Sequence, residues 1–209
     1  MEVYVPGEVY NNLVKMMEYR GVKLSAEPMT PDAVVQKLNH YEYVTIGGTR
    51  GKDDPRGEAT VITILIAPNS KYSSKSGDFK KLLKGLPKVK PGENLEVIFI
   101  SELALTIHIK KQITAYRIEN PKIILEDHDY EIFMLELPKH ECVPEHTIAT
   151  EEEIDNFCKI HFKDRERFPK ILQSDPQAVW LGLRPGMCVR VRRISETAGY
   201  SYIYRICIK

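Results

Sequence analysis

Apolar residues recur at helical spacing near the start of the chain. Val9, Leu13, Met16 and Met17 fall on one side of Glu8 to Arg20, and Gly21 stands where a helix ends. Thr30-Pro31-Asp32 opens a second helix, with proline in its first turn and Val34, Val35 and Leu38 turned inward. The period then changes. Tyr43 to Ile46 reads as a strand, and Gly47 to Glu58 (GGTRGKDDPRGE) as a long polar, glycine-rich loop. Ala59 to Ala67 (ATVITILIA) and Leu95 to Ile100 (LEVIFI) are β-branched and almost continuous, the pattern of strands buried on both faces. A helix at Asp78 to Lys84 lies between them. Ile123 to Glu126 and Glu131 to Leu137 predict two further strands, split by the polar turn Asp127-His128-Asp129.

At Pro138 to Pro144 (PKHECVP) the texture changes to that of a seam, which divides the chain into domains at 1–137 and 138–209. Beyond it the elements are short. Thr150 and Glu153 form a capping box, and the helix they open runs to about His161 with Ile154, Phe157 and Cys158 inward. Ser174-Asp175-Pro176 starts another helix, which Gly182 ends. Arg184-Pro185-Gly186 is a turn, and Met187 to Ile194 and Tyr200 to Ile208 are strands joined by SETAG as a hairpin loop. The expected class is α+β in two domains: a mixed α/β domain built on a central sheet, then a smaller one of short helices and a β-hairpin.

Composition narrows the roles. The chain has 209 residues, 43% of them apolar and 28% charged, which is ordinary for a folded protein. Thirty basic side chains against twenty-nine acidic ones leave a net charge of +1. A protein that grips nucleic acid by itself shows a basic excess, so any such contact must be local or shared with a partner. No apolar run approaches the roughly 18–20 residues of a membrane span, and MEVYVPGEVY has no basic segment of the kind that begins a secretory signal. Cys142, Cys158, Cys188 and Cys207 form no C-x-x-C pair, so they read as reduced, partly buried thiols of an intracellular protein.

Candidate chemistry fails on spacing. His140, Cys142 and His146 lie close together, but the second ligand pair that zinc requires is missing, and neither a metal nor a cofactor is expected. A nuclease would place an acid near the first buried strand and an acid-x-Lys in the second. Glu58 fits the first position, but Glu96-Val97-Ile98 carries isoleucine where the lysine belongs. There is no G-x-S-x-G and no phosphate loop, and Asp53 and Asp54 in the glycine-rich loop would repel phosphates. The terminal strands are richer. Alternation sets Val189 and Val191 against Arg190 and Arg192, and Tyr202, Tyr204 and Ile206 against Ile203 and Arg205. Two readings stand: an RNA-binding face of arginines and tyrosines, or a protein-binding face of Arg, Tyr and Trp180. Glu196 and the acidic helix TEEEID weigh against the first.

From Lys139 onward the chain resembles the fifth subunit of eukaryotic-type RNA polymerases, whose assembly domain stands alone as a small polymerase subunit in archaea. The matching blocks stand in order: HECVPEH (His140 to His146), TEEE, FPKI (Phe168 to Ile171), SDPQAVWLGLRPG (Ser174 to Gly186), and RRISETAG followed by YRI (Tyr204 to Ile206). The N-terminal part is similar in length and element order to the family's jaw domain, a nuclease-like sheet without catalysis. Cys142, Trp180 and Tyr200 depart from the family pattern and point to a divergent lineage, in a large DNA virus or a eukaryotic nucleus. The resemblance implies a non-catalytic polymerase subunit. Its assembly domain would dock on the largest subunit and a small neighbouring subunit, and its jaw would line the channel of downstream duplex DNA. The interface residues it implies are His140, Pro144, Ser174, Asp175, Pro176, Leu181, Gly182, Arg184, Gly186, Arg190, Arg192, Ser195, Glu196, Thr197, Gly199 and Arg205. Lys110 and Lys111, in the divergent segment SELALTIHIKK, are the residues expected near DNA. Neither membrane association nor an obligate homo-oligomer is implied. The expected location is the nucleus, or the virion and cytoplasmic replication sites of a virus. The alternative is a free-standing nucleic-acid-binding protein using the Arg/Tyr strands.

Overall fold

Two β-sheets organise the chain in the computed structural model, which describes residues 5–87, 93–161, 164–195 and 197–209. One sheet belongs to each of two units, Met1–Leu135 and Glu136–Lys209. The architecture is mixed α/β with several helices, as an α+β class requires.

The first unit is built on β1 (Val22–Leu24), β2 (Tyr43–Arg50), β3 (Ala59–Ile66), β4 (Leu95–Ser101) and β5 (Ile123–Asp129), adjacent in that order. The first three are antiparallel, and β3, β4 and β5 are parallel. Every residue of β4 is buried, which explains why LEVIFI lacks polar alternation. Helix α1 (Pro6–Tyr19) covers one face, where the Thr63 hydroxyl donates to Met17 Sδ at 3.2 Å, and α2 (Pro31–Tyr41) packs beside it. Thr30 caps α2 by accepting from the Ala33 N–H at 3.4 Å. The short α3 (Lys71–Ser74) leads into α4 (Ser76–Lys84). The opposite face carries Ile64, Ile66, Val97, Phe99, Ile123 and Leu125, packed against Phe79 and Leu83 of α4 and against Ile109 and Ile113 of α5 (Ile107–Glu119).

The first unit corrects three expectations. Strand β2 continues to Arg50, so Gly47 to Arg50 belong to the sheet rather than to the loop. Gly48 makes this feasible: a Cβ there would lie 2.5 Å from the Lys23 carbonyl, so only glycine admits β1 at this distance. At the other edge β5 runs through Asp127-His128-Asp129, the expected turn, because its pairing with β4 extends to Ser101 opposite Asp129. Glu131 to Leu137 is then not a strand. Tyr130–Phe133 is a 3-10 turn that buries Tyr130 and Phe133 three residues apart, and the Tyr130 hydroxyl donates to the Ile66 carbonyl.

The second unit contains β6 (Glu145–Ile148), α6 (Glu151–His161), β7 (Lys170–Leu172), α7 (Pro176–Leu181), β8 (Cys188–Ser195) and β9 (Gly199–Ile208). The sheet order is β6-β8-β9-β7, with β7 parallel to β9. One face buries Val189, Val191 and Cys207 against Ala178, Leu181 and Leu183 of the α7 region. The other buries Cys188 and Tyr204 against Ile154, Phe157 and Cys158 of α6, and Phe168. Both helix starts are built as the sequence indicates. Thr150 and Glu153 satisfy each other's N–H groups at 3.1 and 3.2 Å, and Asp175 accepts from the Gln177 N–H at 2.9 Å.

Candidate functional site

The acid that a nuclease would use to hold a metal is occupied. Arg50, at the end of β2, and Glu96, at the start of β4, are buried and bind through two guanidinium nitrogens and both carboxylate oxygens. Arg50 Nε also donates to the Gly57 carbonyl at 2.8 Å. Nearby, Arg20 follows α1 and meets Glu126 at 2.8 Å, and His128 Nε2 lies 3.2 Å from the same carboxylate. Burial pushes the Glu126 carboxyl up, but Arg20 and His128 outweigh it and hold the group well below the usual carboxylate range. Each of these acids is neutralised by an arginine of its own unit. Glu58 is exposed and 3.8 Å from Lys52. Among the described residues, no group of three His, Cys, Asp or Glu is placed to hold a metal ion.

Of the two lysines expected near DNA, Lys110 lies 3.5 Å from Asp127 and Lys111 is exposed on α5. The remaining candidates lie in the second unit and do not form one patch. On the α7 side, Ser174 and Pro176 are exposed at the helix start and Asp175 is its cap, whereas Leu181 and Gly182 are buried. Gly182 takes φ +63, which ends α7. Arg184 is half-buried, and Gly186 is exposed at φ +93 with open space where a Cβ would stand. His140 is exposed and its Nδ1 accepts from the Cys142 N–H at 3.2 Å, while the half-buried Pro144 shares its carbonyl with His146 Nδ1 at 2.6 Å. Arg205 reaches the Lys170 carbonyl at 3.4 Å. Burial lowers the affinity of His146 for a proton, and it raises the Cys188 and Cys207 thiols to about 11, which leaves them unreactive.

The α6 side carries the Arg/Tyr ladder. Arg190 lies 5.7 Å from the Tyr202 ring centroid and Arg192 lies 4.8 Å from that of Tyr200. Both guanidinium groups are already paired: Arg190 with Glu153 at 2.5 Å, Arg192 with Glu145 at 2.7 Å. Glu153 therefore caps α6 with one oxygen and holds Arg190 with the other. At the hairpin end the Ser195 hydroxyl accepts from the Ala198 N–H at 3.3 Å, Thr197 is exposed, and Gly199 takes φ +72. Glu196 lies outside the described residues. Such a ladder is poor at gripping phosphates, because its charge is spent internally. Trp180 is fully buried and cannot form part of a docking face, so the protein-binding reading loses that residue. Sequence reasoning missed the two partner acids, Glu145 and Glu153. The capping box marks Glu153, but only the pairing of β6 with β8 brings Glu145 opposite Arg192.

Comparison with known proteins gives this geometry its setting. The model of the family described as RNA polymerase Rpb5, C-terminal domain, matches residues 135–207. The chain is 31% identical, over 218 residues, to the DNA-directed RNA polymerases I, II, and III subunit RPABC1 of Caenorhabditis elegans, covering 100% of this chain and 98% of that one. It is 29% identical over 203 residues to the DNA-directed RNA polymerase RPB5 homolog of African swine fever virus (isolate Warthog/Namibia/Wart80/1980), covering 97% of each. Over 70 residues, 34% of this chain and 85% of the other, it is 41% identical to DNA-directed RNA polymerase subunit Rpo5 of Thermococcus celer.

Proposed function

Because the chain belongs to the Rpb5 family of DNA-directed RNA polymerase subunits, we propose that its C-terminal unit is the assembly domain and its N-terminal unit the jaw. The chain is a non-catalytic subunit of the polymerase, and its partners are other polymerase subunits. In our reading the assembly domain spans 138–209 and docks on the largest subunit and a small neighbouring one. The jaw spans 1–137, has a nuclease-like plan, and lines the channel of downstream duplex DNA, with Lys110 and Lys111 the residues near it. The protein acts in the nucleus, or in the virion and cytoplasmic replication sites if it serves a large DNA virus.

The observation that supports docking through the second unit is the end of the β8–β9 hairpin, where Arg192, Ile194, Tyr200 and Tyr202 are all exposed on paired strands. Tyrosine and arginine are the residue types that dominate protein interfaces. The free-standing nucleic-acid reading is weaker, since Arg190 and Arg192 are neutralised within the chain. The test is affinity purification of polymerase carrying Arg192→Glu or Gly186→Val. Both variants should lower occupancy of the subunit. The glycine variant acts through backbone strain of roughly 1–3 kcal/mol, since φ is +93 and nothing lies within 4 Å of where its Cβ would stand. Wild-type occupancy of Arg192→Glu would refute docking through the hairpin end, and wild-type occupancy of both would refute docking through the second unit's turn and hairpin.

A further inference from the structure

Beside the hairpin lies an open cleft of about 550 Å³, walled on one side by Glu141, Cys142, Val143 and Pro144 and on the other by Arg193, Ile194 and Tyr200. Its position follows from where β6 starts. Ala149 N–H donates to the Cys188 carbonyl at 2.9 Å, and Glu145 lies opposite Arg192. The even-numbered residues of β8 therefore turn their main-chain groups toward β6. Two residues beyond Arg192, Ile194 turns its N–H and C=O to the same edge, but no strand meets them. Pro144 has no N–H, and the Val143 N–H turns back to the His140 carbonyl at 2.9 Å. Ile194 is 88% exposed, and Tyr200 beside it 54%. An open strand edge next to exposed apolar side chains is the arrangement onto which extended segments add.

We infer that this cleft receives an extended segment of another polymerase subunit, which pairs with the main chain of Ile194, buries an aliphatic or aromatic side chain against Ile194 and Tyr200, and places a carboxylate at Arg193. The inference rests on the reading that the second unit docks within the polymerase. Charge selects the occupant. Arg192 is matched by Glu145, whereas Arg193 has no carboxylate partner among the described residues. A nucleic-acid strand fits less well, because its phosphates would run past Glu141 and Glu145 on the opposite wall.

Cys142 provides the readout, since it is exposed in the cleft while Cys158 is half-buried outside it and Cys188 and Cys207 are buried. Alkylation by a small maleimide, followed by mass spectrometry, is compared between the free chain and intact purified polymerase, with Cys158 as internal reference. Hydrogen exchange at the Ile194 amide is followed in the same samples. Cys142 should react at least about tenfold more slowly in the polymerase, Ile194 should gain protection, and nuclease treatment should change neither. Ile194→Asp, at a position exposed in the free chain, should lower occupancy while leaving the unfolding of the free chain unchanged. Full occupancy with Cys142 and Ile194 as accessible as in the free chain would overturn the cleft and leave docking intact. Protection that nuclease abolishes would assign the cleft to nucleic acid and overturn the inference. Absence of the wild-type chain from polymerase would sink both readings.

Discussion

Arg50 and Glu96 show how a charged pair is kept in a small core. Taking two charges out of water costs several kcal/mol, and only mutual attraction with full hydrogen bonding offsets it. Here two guanidinium nitrogens meet both carboxylate oxygens, and the third reaches Gly57. Glu96→Ala would leave a buried guanidinium with one of its three hydrogen bonds, and urea unfolding should report a loss of about 3–5 kcal/mol. The double change Arg50→Met with Glu96→Leu removes both charges and should recover most of that loss. His146 makes a second residue-scale prediction. Burial depresses its pKa, and the hydrogen bond to Pro144 only partly opposes this. An unfolded imidazole, with its ordinary pKa near 6.5, then takes up a proton before the folded one does. The stabilisation is complete above that value and is lost as pH falls through the folded pKa. Urea unfolding of the second unit between about pH 7.5 and 5.5 should show this slope, and His146→Asn should flatten it.

Among the elements, α6 is opened by a reciprocal local device, the Thr150–Glu153 capping box. Thr150→Ala should destabilise the second unit by about 1 kcal/mol in thermal or urea unfolding. Glu153→Gln can keep the cap but weakens the hold on Arg190, so it should disturb the hairpin without melting the helix start. Such devices were readable because cap and target lie three residues apart. The hairpin was readable for the same reason: SETAG joins two alternating runs. The short strands β1, β6 and β7 were not, because three or four residues carry no period of their own and become strands only by pairing with distant partners. Helix α5 also escaped, since Ile109 and Ile113 are buried while Ile107 and Ile118 stay exposed, which blurs the apolar stripe. Arg50 and Glu96 are 46 positions apart, and nothing local announces that they meet. The interface residues rest on family resemblance. The acids that neutralise Arg190 and Arg192 came only with the sheet.

At the scale of the molecule, near-neutral net charge coexists with strongly paired internal charge. Asp54, held by Arg56 at 2.7 Å, and Glu126 both have pKa values below the ordinary carboxylate range despite burial. Carboxyls depressed in this way stabilise the fold above about pH 4 and withdraw that support as pH falls through their folded values. Acid titration of the whole chain, followed by circular dichroism, should therefore show an unfolding step that Glu126→Gln makes less steep, with the Asp54 contribution remaining. With a net charge of +1 and its ladder arginines matched, the free chain should bind RNA or DNA only weakly. Submicromolar affinity at physiological salt in a fluorescence-anisotropy titration would contradict the proposed division of labour.

The chain contains a single tryptophan, and Trp180 is completely shielded inside the second unit. Its emission is therefore an intrinsic optical label for one half of the protein, blue-shifted while that half is folded and silent about the other. Circular dichroism sums helices and strands from both halves. Recorded on one sample, the two signals resolve which unit yields first to acid, urea or heat, with no dye and no engineered residue.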